Sequence, residues 1–184
     1  RPMDDAQAAL HVAVARSWAG IDHHNPEALT HIRAAFDHYR ATGQIERAVH
    51  LVARVMHYPE GETSLYRDAL ELAEPGSREQ GLLLAELGSS LSYQGRSEEA
   101  APLLDQATDV ARRLGDLELE LKVIHISAFI DWFYLRLGAP ESKLRRGLDP
   151  SIAMADPAAE CSWRREIAQL APRLGRASAV GREP

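Results

Sequence analysis

The chain has 184 residues, 45% hydrophobic and 26% charged, which is enough apolar material for one core or a stack of helical repeats and too much for a disordered chain. Its formal charge of −6, with no basic run beyond the pairs Arg112-Arg113, Arg145-Arg146 and Arg164-Arg165, argues against direct nucleic-acid binding, which needs clustered cations to displace counterions. No apolar run nears the ~20 residues of a membrane span, no signal-peptide pattern opens the chain, and a lone Cys161 excludes an internal disulfide, so the expectation is a soluble, cytoplasmic protein without membrane contact.

From the N-terminus, Ala9, Val12, Val14, Ala15 and Trp18 leave an apolar stripe that predicts a first helix over 4–18, ended by Gly20. Asn25-Pro26 is a cap followed by proline at the first helical position, and Leu29, Ile32, Phe36 and Tyr39 carry a second helix to Ala41, closed by Gly43. A third follows from Gly43, whose segment GQIERAVHL repeats GRSEEAAPL further on. The run HYPEG at 57–61 breaks the helix, LYRDALELA at 65–73 starts another, and Glu74-Pro75-Gly76 ends it.

Residues 77–116 read as a complete two-helix unit. Leu83, Leu84, Leu87 and Leu91 give the first helix a face to bury, and Ala100, Leu103, Leu104, Ala107 and Ala111 do so for the second. Ser77 and Gln80 form a capping box, Gln94-Gly95 supplies a turn, Ser97 is the expected second cap with Glu98 and Glu99 beside it, and Gly115 closes the unit. Gly88 is expected at the closest approach of the two helices, where a β-carbon would hold the backbones apart. Asp116 then caps a long apolar helix with Ile124, Phe129, Ile130, Trp132, Phe133 and Tyr134, after which Lys143, Gly147 and Pro150 break the pattern; a further helix is expected over 157–173 and a frayed tail over 175–184.

With Leu84, Leu87, Gly88, Leu91, Gly95, Ala100, Leu104 and Ala107 at the required offsets, the central unit resembles a tetratricopeptide repeat of ~34 residues. Gly43, Ala48 and Leu51 repeat part of that pattern. The resemblance implies an all-α fold of antiparallel helix pairs stacked as a right-handed solenoid, a single domain over 1–174 with irregular repeats at about 26–57, 58–76, 77–116 and 117–150. Over residues 22–137 the layout also resembles the C-terminal repeat region of bacterial signal-transduction ATPase regulators, transcriptional activators of the LuxR or antibiotic-regulator type. That resemblance implies a sensor or scaffold segment that binds a peptide, a protein partner or a small inducer, while other domains hydrolyse nucleotide and bind DNA. This chain has no GxxxxGK[ST] nucleotide motif.

In the repeat family the first helix of each pair lines a concave groove, and carrying this over names Thr30, Arg33, Asp37 and Arg40 on the second helix, Ser89, Ser92 and Tyr93 on the central one, and His125, Trp132 and Arg136 on the long one. The arginines suit a carboxylate and Trp132 or Tyr93 a flat apolar contact. An alternative is homo-oligomerisation, a homodimer formed through the apolar helix 124–137, and a third reading, ranked below both, is a small all-α enzyme, which would need a pocket of convergent titratable groups. No enzyme or cofactor is expected: GSSLS at 88–92 lacks the GxSxG elbow, His125 and Asp131 point to different sides of one helix, and Cys161 reads as packing. Nor is a metal, because His24, His31 and His38 recur every seven residues, about 10 Å along a helix and too far for one ion. Their expected role is a polar face that charges as pH falls toward about 6.5.

Overall fold

The computed structural model describes residues 3–21, 26–55 and 63–133. Among the described residues there are seven helices and no strand, so the chain is all-α. In order these are α1 (Asp5–Ile21), α2 (Pro26–Ala41), α3 (Ile45–Val55), α4 (Thr63–Leu72), α5 (Arg78–Tyr93), α6 (Ser97–Leu114) and α7 (Leu117–Phe133). The chain divides into two compact units, Arg1–Val110 and Ala111–Pro184, where the sequence reading expects one domain over 1–174. The expected break at Lys143, Gly147 and Pro150, the helix over 157–173 with Cys161, the tail over 175–184 and the Asn25 cap lie outside the described residues.

Local signals set most helix ends. Asp4 and Gln7 bond reciprocally, Gln7 N to Asp4 Oδ1 at 2.9 Å and Asp4 N to Gln7 Oε1 at 3.0 Å, and so satisfy two amide groups of the first turn. The α1 helix runs through Gly20 to Ile21, so this glycine does not end it as expected. Glycine is tolerated in a helix at a cost of about 1 kcal/mol, and only a left-handed backbone makes it a stop. Gly43 is such a stop: at φ 75° it lets Gln44 N reach back to Tyr39 O at 2.8 Å.

Ahead of α5, Gln80 N bonds Ser77 Oγ at 3.1 Å as the capping box requires, while the returning bond runs from Gly76 N to Gln80 Oε1 at 2.8 Å, one residue earlier than the pattern predicts. Ser97 is not the cap of α6 but its first residue. The turn there is braced instead by Arg96, whose Nε and Nη2 each donate to the Glu99 carboxylate at 2.7 Å.

Within the first unit, α1 and α2 run antiparallel, since Asp5 meets His38 and His11 meets His31. Ala8 and Ala15 on α1, and Ala28 and Ala35 on α2, are fully buried. The same spacing of seven on both helices keeps each alanine pair on one face. The α3 helix packs against α1, α2, α4 and α5, and α4 against α5 as well. Leu65, Tyr66, Leu83, Leu87, Leu91 and Val52 are among the largest fully buried side chains. At Gly88 an added Cβ would stand 3.0 Å from Leu104 Cγ and Cδ2 and 3.4 Å from Ala100 O, so this glycine does mark the close approach of α5 and α6. Phe36 is itself fully buried, with Arg40 Cζ 5.7 Å from its ring centre.

In the second unit, Gly115 at φ 64° ends α6 with Asp116 N bonded to Ala111 O at 2.9 Å, and Asp116 Oδ1 then accepts from Leu119 N at 2.9 Å to cap α7. Leu119, Leu121, Val123, Ala128 and Ile130 are buried on that helix.

Candidate functional site

The expected groove residues of the first unit fall on α2 and α5, and His125 and Trp132 of the second fall on α7. Arg33 reaches from α2 to α4, where Nη1 donates to Asp68 Oδ2 at 2.6 Å and Nη2 to Ser64 Oγ at 2.7 Å. This ties the guanidinium to its own fold. Asp37 and Arg40 form an exposed pair at 3.6 Å on α2, and Thr30 Oγ1 donates to Pro26 O at 3.3 Å. On α5, Ser92 is buried and its Oγ donates to Gly88 O at 2.9 Å, so the hydroxyl is directed into its own helix; Ser89 and Tyr93 are half-buried. α3 packs on both α2 and α5, whereas α2 and α5 are not a packed pair among the described residues. Among the described residues α2 meets α4 through the Arg33 bonds to Asp68 and Ser64. His125 is exposed on α7, the Trp132 side chain and Arg136 lie outside the described residues, and so do the Phe129, Phe133 and Tyr134 side chains on which the dimer expectation rests.

Two hollows instead flank the exposed side of α3. The first, about 360 Å³, is lined by Val12 and Arg16 of α1, Tyr39 of α2, and Glu46, Arg47, His50 and Leu51 of α3. The second, about 350 Å³, is lined by Ile45, Glu46, Val49 and His50 of α3 with Leu72, Glu74, Ser77 and Glu79. Glu46 and His50, one helical turn apart, line both and form the ridge between them. Among the described residues the hollows differ in charge: two guanidiniums and one carboxylate line the first, and three carboxylates line the second. Glu79 also holds α3 to α5, lying 3.9 Å from His50 Nδ1 and 3.6 Å from Arg54 Nη2.

The first hollow is framed by a polar network that joins α1, α2 and α3. Asp5 Oδ1 accepts from His38 Nε2 at 2.7 Å and from Gln44 Nε2 at 3.0 Å, and these two bonds hold its carboxyl below the usual carboxylate range. Arg47 lies with its Cζ 4.4 Å from the Tyr39 ring centre, donates from Nη2 to Tyr39 Oη at 3.2 Å and from Nη1 to Gln44 Oε1. The His11 and His31 Nδ1 atoms are 2.7 Å apart, so one ring donates and the other accepts. Burial, and secondarily the neighbouring His31, push the His11 imidazole below its ordinary value of 6.5.

Sequence reading missed this network because the bonds that tie α1 into it join residues 20 to 39 apart. Among the described residues no group of three or more His, Cys, Asp or Glu side chains could hold a metal ion, and no helix is long and apolar enough to cross a membrane. No family model, no curated protein and no solved structure matches the chain.

Proposed function

We propose that the chain is an interaction or sensor module, built from helix pairs stacked as a right-handed tetratricopeptide-like solenoid and belonging to a bacterial regulatory protein. What supports this reading is the packing of α3 against the helices one and two places away on either side, α1 and α2, α4 and α5. That neighbour pattern is how a stacked helical array shares its core. Such an array keeps one row of helices open along its length, and the two hollows beside the Glu46 and His50 ridge give this row a contact surface. A protein or peptide partner, or a small inducer, is held there; the module binds and performs no chemistry of its own.

The test uses the purified chain as bait for a bacterial lysate and its small-molecule extract, with Glu46→Ala, His50→Ala compared against Arg33→Ala, Arg40→Ala. The reading expects a species retained by the wild type and the second variant and lost from the first. Retention indifferent to both variants, or retention of nothing but the chain itself, overturns it. Loss from the second variant alone returns recognition to the α2 face.

A further inference from the structure

We infer that the hollow between α1 and α3 is a binding site for a small amphiphilic carboxylate, clamped by Arg16 and Arg47 above Val12, Leu51 and the Tyr39 ring. This deepens the sensor reading by naming a ligand class, and it rests on that reading only for its purpose. The hollow's volume, about 360 Å³, falls within the range of small-molecule sites. Its floor is apolar, with Leu51 and Tyr39 buried, and its rim is cationic.

The two arginines are suited to the task in different ways. Arg16 is exposed and makes no hydrogen bond or ion pair among the described residues, so nothing there competes for its donors. Arg47 is held in place: its plane rests on Tyr39, and bonds to Tyr39 Oη and Gln44 orient it. Its ion-pair partner, Asp5 Oδ2, stands 3.6 Å from Nη1, longer than a direct hydrogen bond. A guanidinium stays charged at any physiological pH and presents paired donors that match the two oxygens of a carboxylate.

Charge decides which hollow an anion enters. Among the described residues Glu46 is the one carboxylate lining the first, against two guanidiniums, with Asp5 Oδ2 3.6 Å from one of them, whereas Glu46, Glu74 and Glu79 line the second. A carboxylate is therefore drawn to the α1 side of the ridge and repelled from the α5 side. Once bound, it bridges Arg16 of α1 to Arg47 of α3, two helices whose mutual packing is slight beside that of α1 on α2. Occupancy would tighten α1 on the rest of the unit.

The experiment is titration calorimetry of the full chain at low salt with 1-naphthylacetate and with its uncharged counterpart, 1-naphthylacetamide. The acid should bind at least about tenfold more tightly than the amide, since a charged hydrogen-bonded contact is worth that much or more. Arg16→Gln should weaken the acid by about tenfold while leaving the circular dichroism and unfolding midpoint unchanged, because that side chain makes no hydrogen bond or ion pair among the described residues. Equal binding of acid and amide, indifference to Arg16→Gln, or no binding of the acid at about ten millimolar overturns the inference. If the acid fails while the lysate species is still retained through Glu46 and His50, this site is lost and the module reading stands. If the acid binds and nothing is retained from the lysate or its extract, the site stands and the module reading falls.

Discussion

Helices α1 to α3 add a network of polar pairs to buried alanines and to Ile32, Phe36 and Val52, whereas α5 and α6 meet through leucines and alanines around one glycine. The first arrangement places Asp5, His11, His31, His38, Gln44 and Arg47 on one another at 2.7 to 3.6 Å. In the second, Gly88 lies against Leu104 and the carbonyl of Ala100, with Leu84, Leu87, Leu91 and Ala107 buried around the hairpin. The difference matters because apolar packing is insensitive to pH and salt, while partly exposed polar pairs respond to both. The groups expected to respond to pH and salt therefore lie on the side of the unit where the first hollow opens.

Substitutions should separate the two regions. The largest effect is expected from Leu91→Ala, which empties a fully buried position of α5 and should cost about 3 kcal/mol by urea denaturation. Gly88→Leu should cost about 2 kcal/mol, since even its Cβ would crowd Leu104, and the loss should be partly recovered by a compensating Leu104→Ala. An unchanged urea midpoint in Gly88→Leu would mean that the helices are not held at that distance. Arg33→Ala should cost about 1 kcal/mol or less, because the pair with Asp68 is roughly one-third exposed on both sides and solvent screens it. A double-mutant cycle with Asp68→Asn isolates that term.

The smallest and most diagnostic effect is the pH dependence of the α1 side. His11 has a folded-state pKa below the 6.5 of the unfolded chain, so the unfolded state takes up the proton first. Stability is then full above about pH 6.5 and falls as pH drops through that value toward the folded pKa. Asp5 has its pKa lowered from 3.8, so its contribution is present above that value and is lost as pH falls below it. Urea midpoints of wild type and Leu91→Ala should decline in parallel between pH 7.5 and 5.5, and His11→Gln should flatten the decline. A wild-type slope retained in His11→Gln would place the sensitive group elsewhere and remove the contrast between the two regions.

Legibility followed the same division. The caps at Ser77 and Asp116, the left-handed turns at Gly43, Gly76, Gly95 and Gly115, and the contact glycine at 88 were all readable, because each depends on residues a few places apart or on a fixed offset within one hairpin. Gly20 misled because glycine's meaning depends on φ, which composition does not state. The candidate site was less legible. Arg33, Asp37 and Arg40, like Ser89, Ser92 and Tyr93, were named only by carrying over the groove positions of the family that the chain resembles. That α4 would come to lie beside α2, and draw Arg33 onto Asp68 and Ser64, could not be read from those positions.

What the sequence by itself determined is the all-α class, the helix order over the described residues and most of the turns, since helix propensity, capping and φ preference act over a few residues. What only the tertiary structure decided is which helices adjoin: α3 against α1, α2, α4 and α5, His11 on His31, Arg47 on Tyr39 and near Asp5, and two hollows of opposite charge on either side of Glu46 and His50. Those contacts join residues far apart in the chain, and their partners are set by how whole helices bury their apolar faces together, a condition that no local spacing carries.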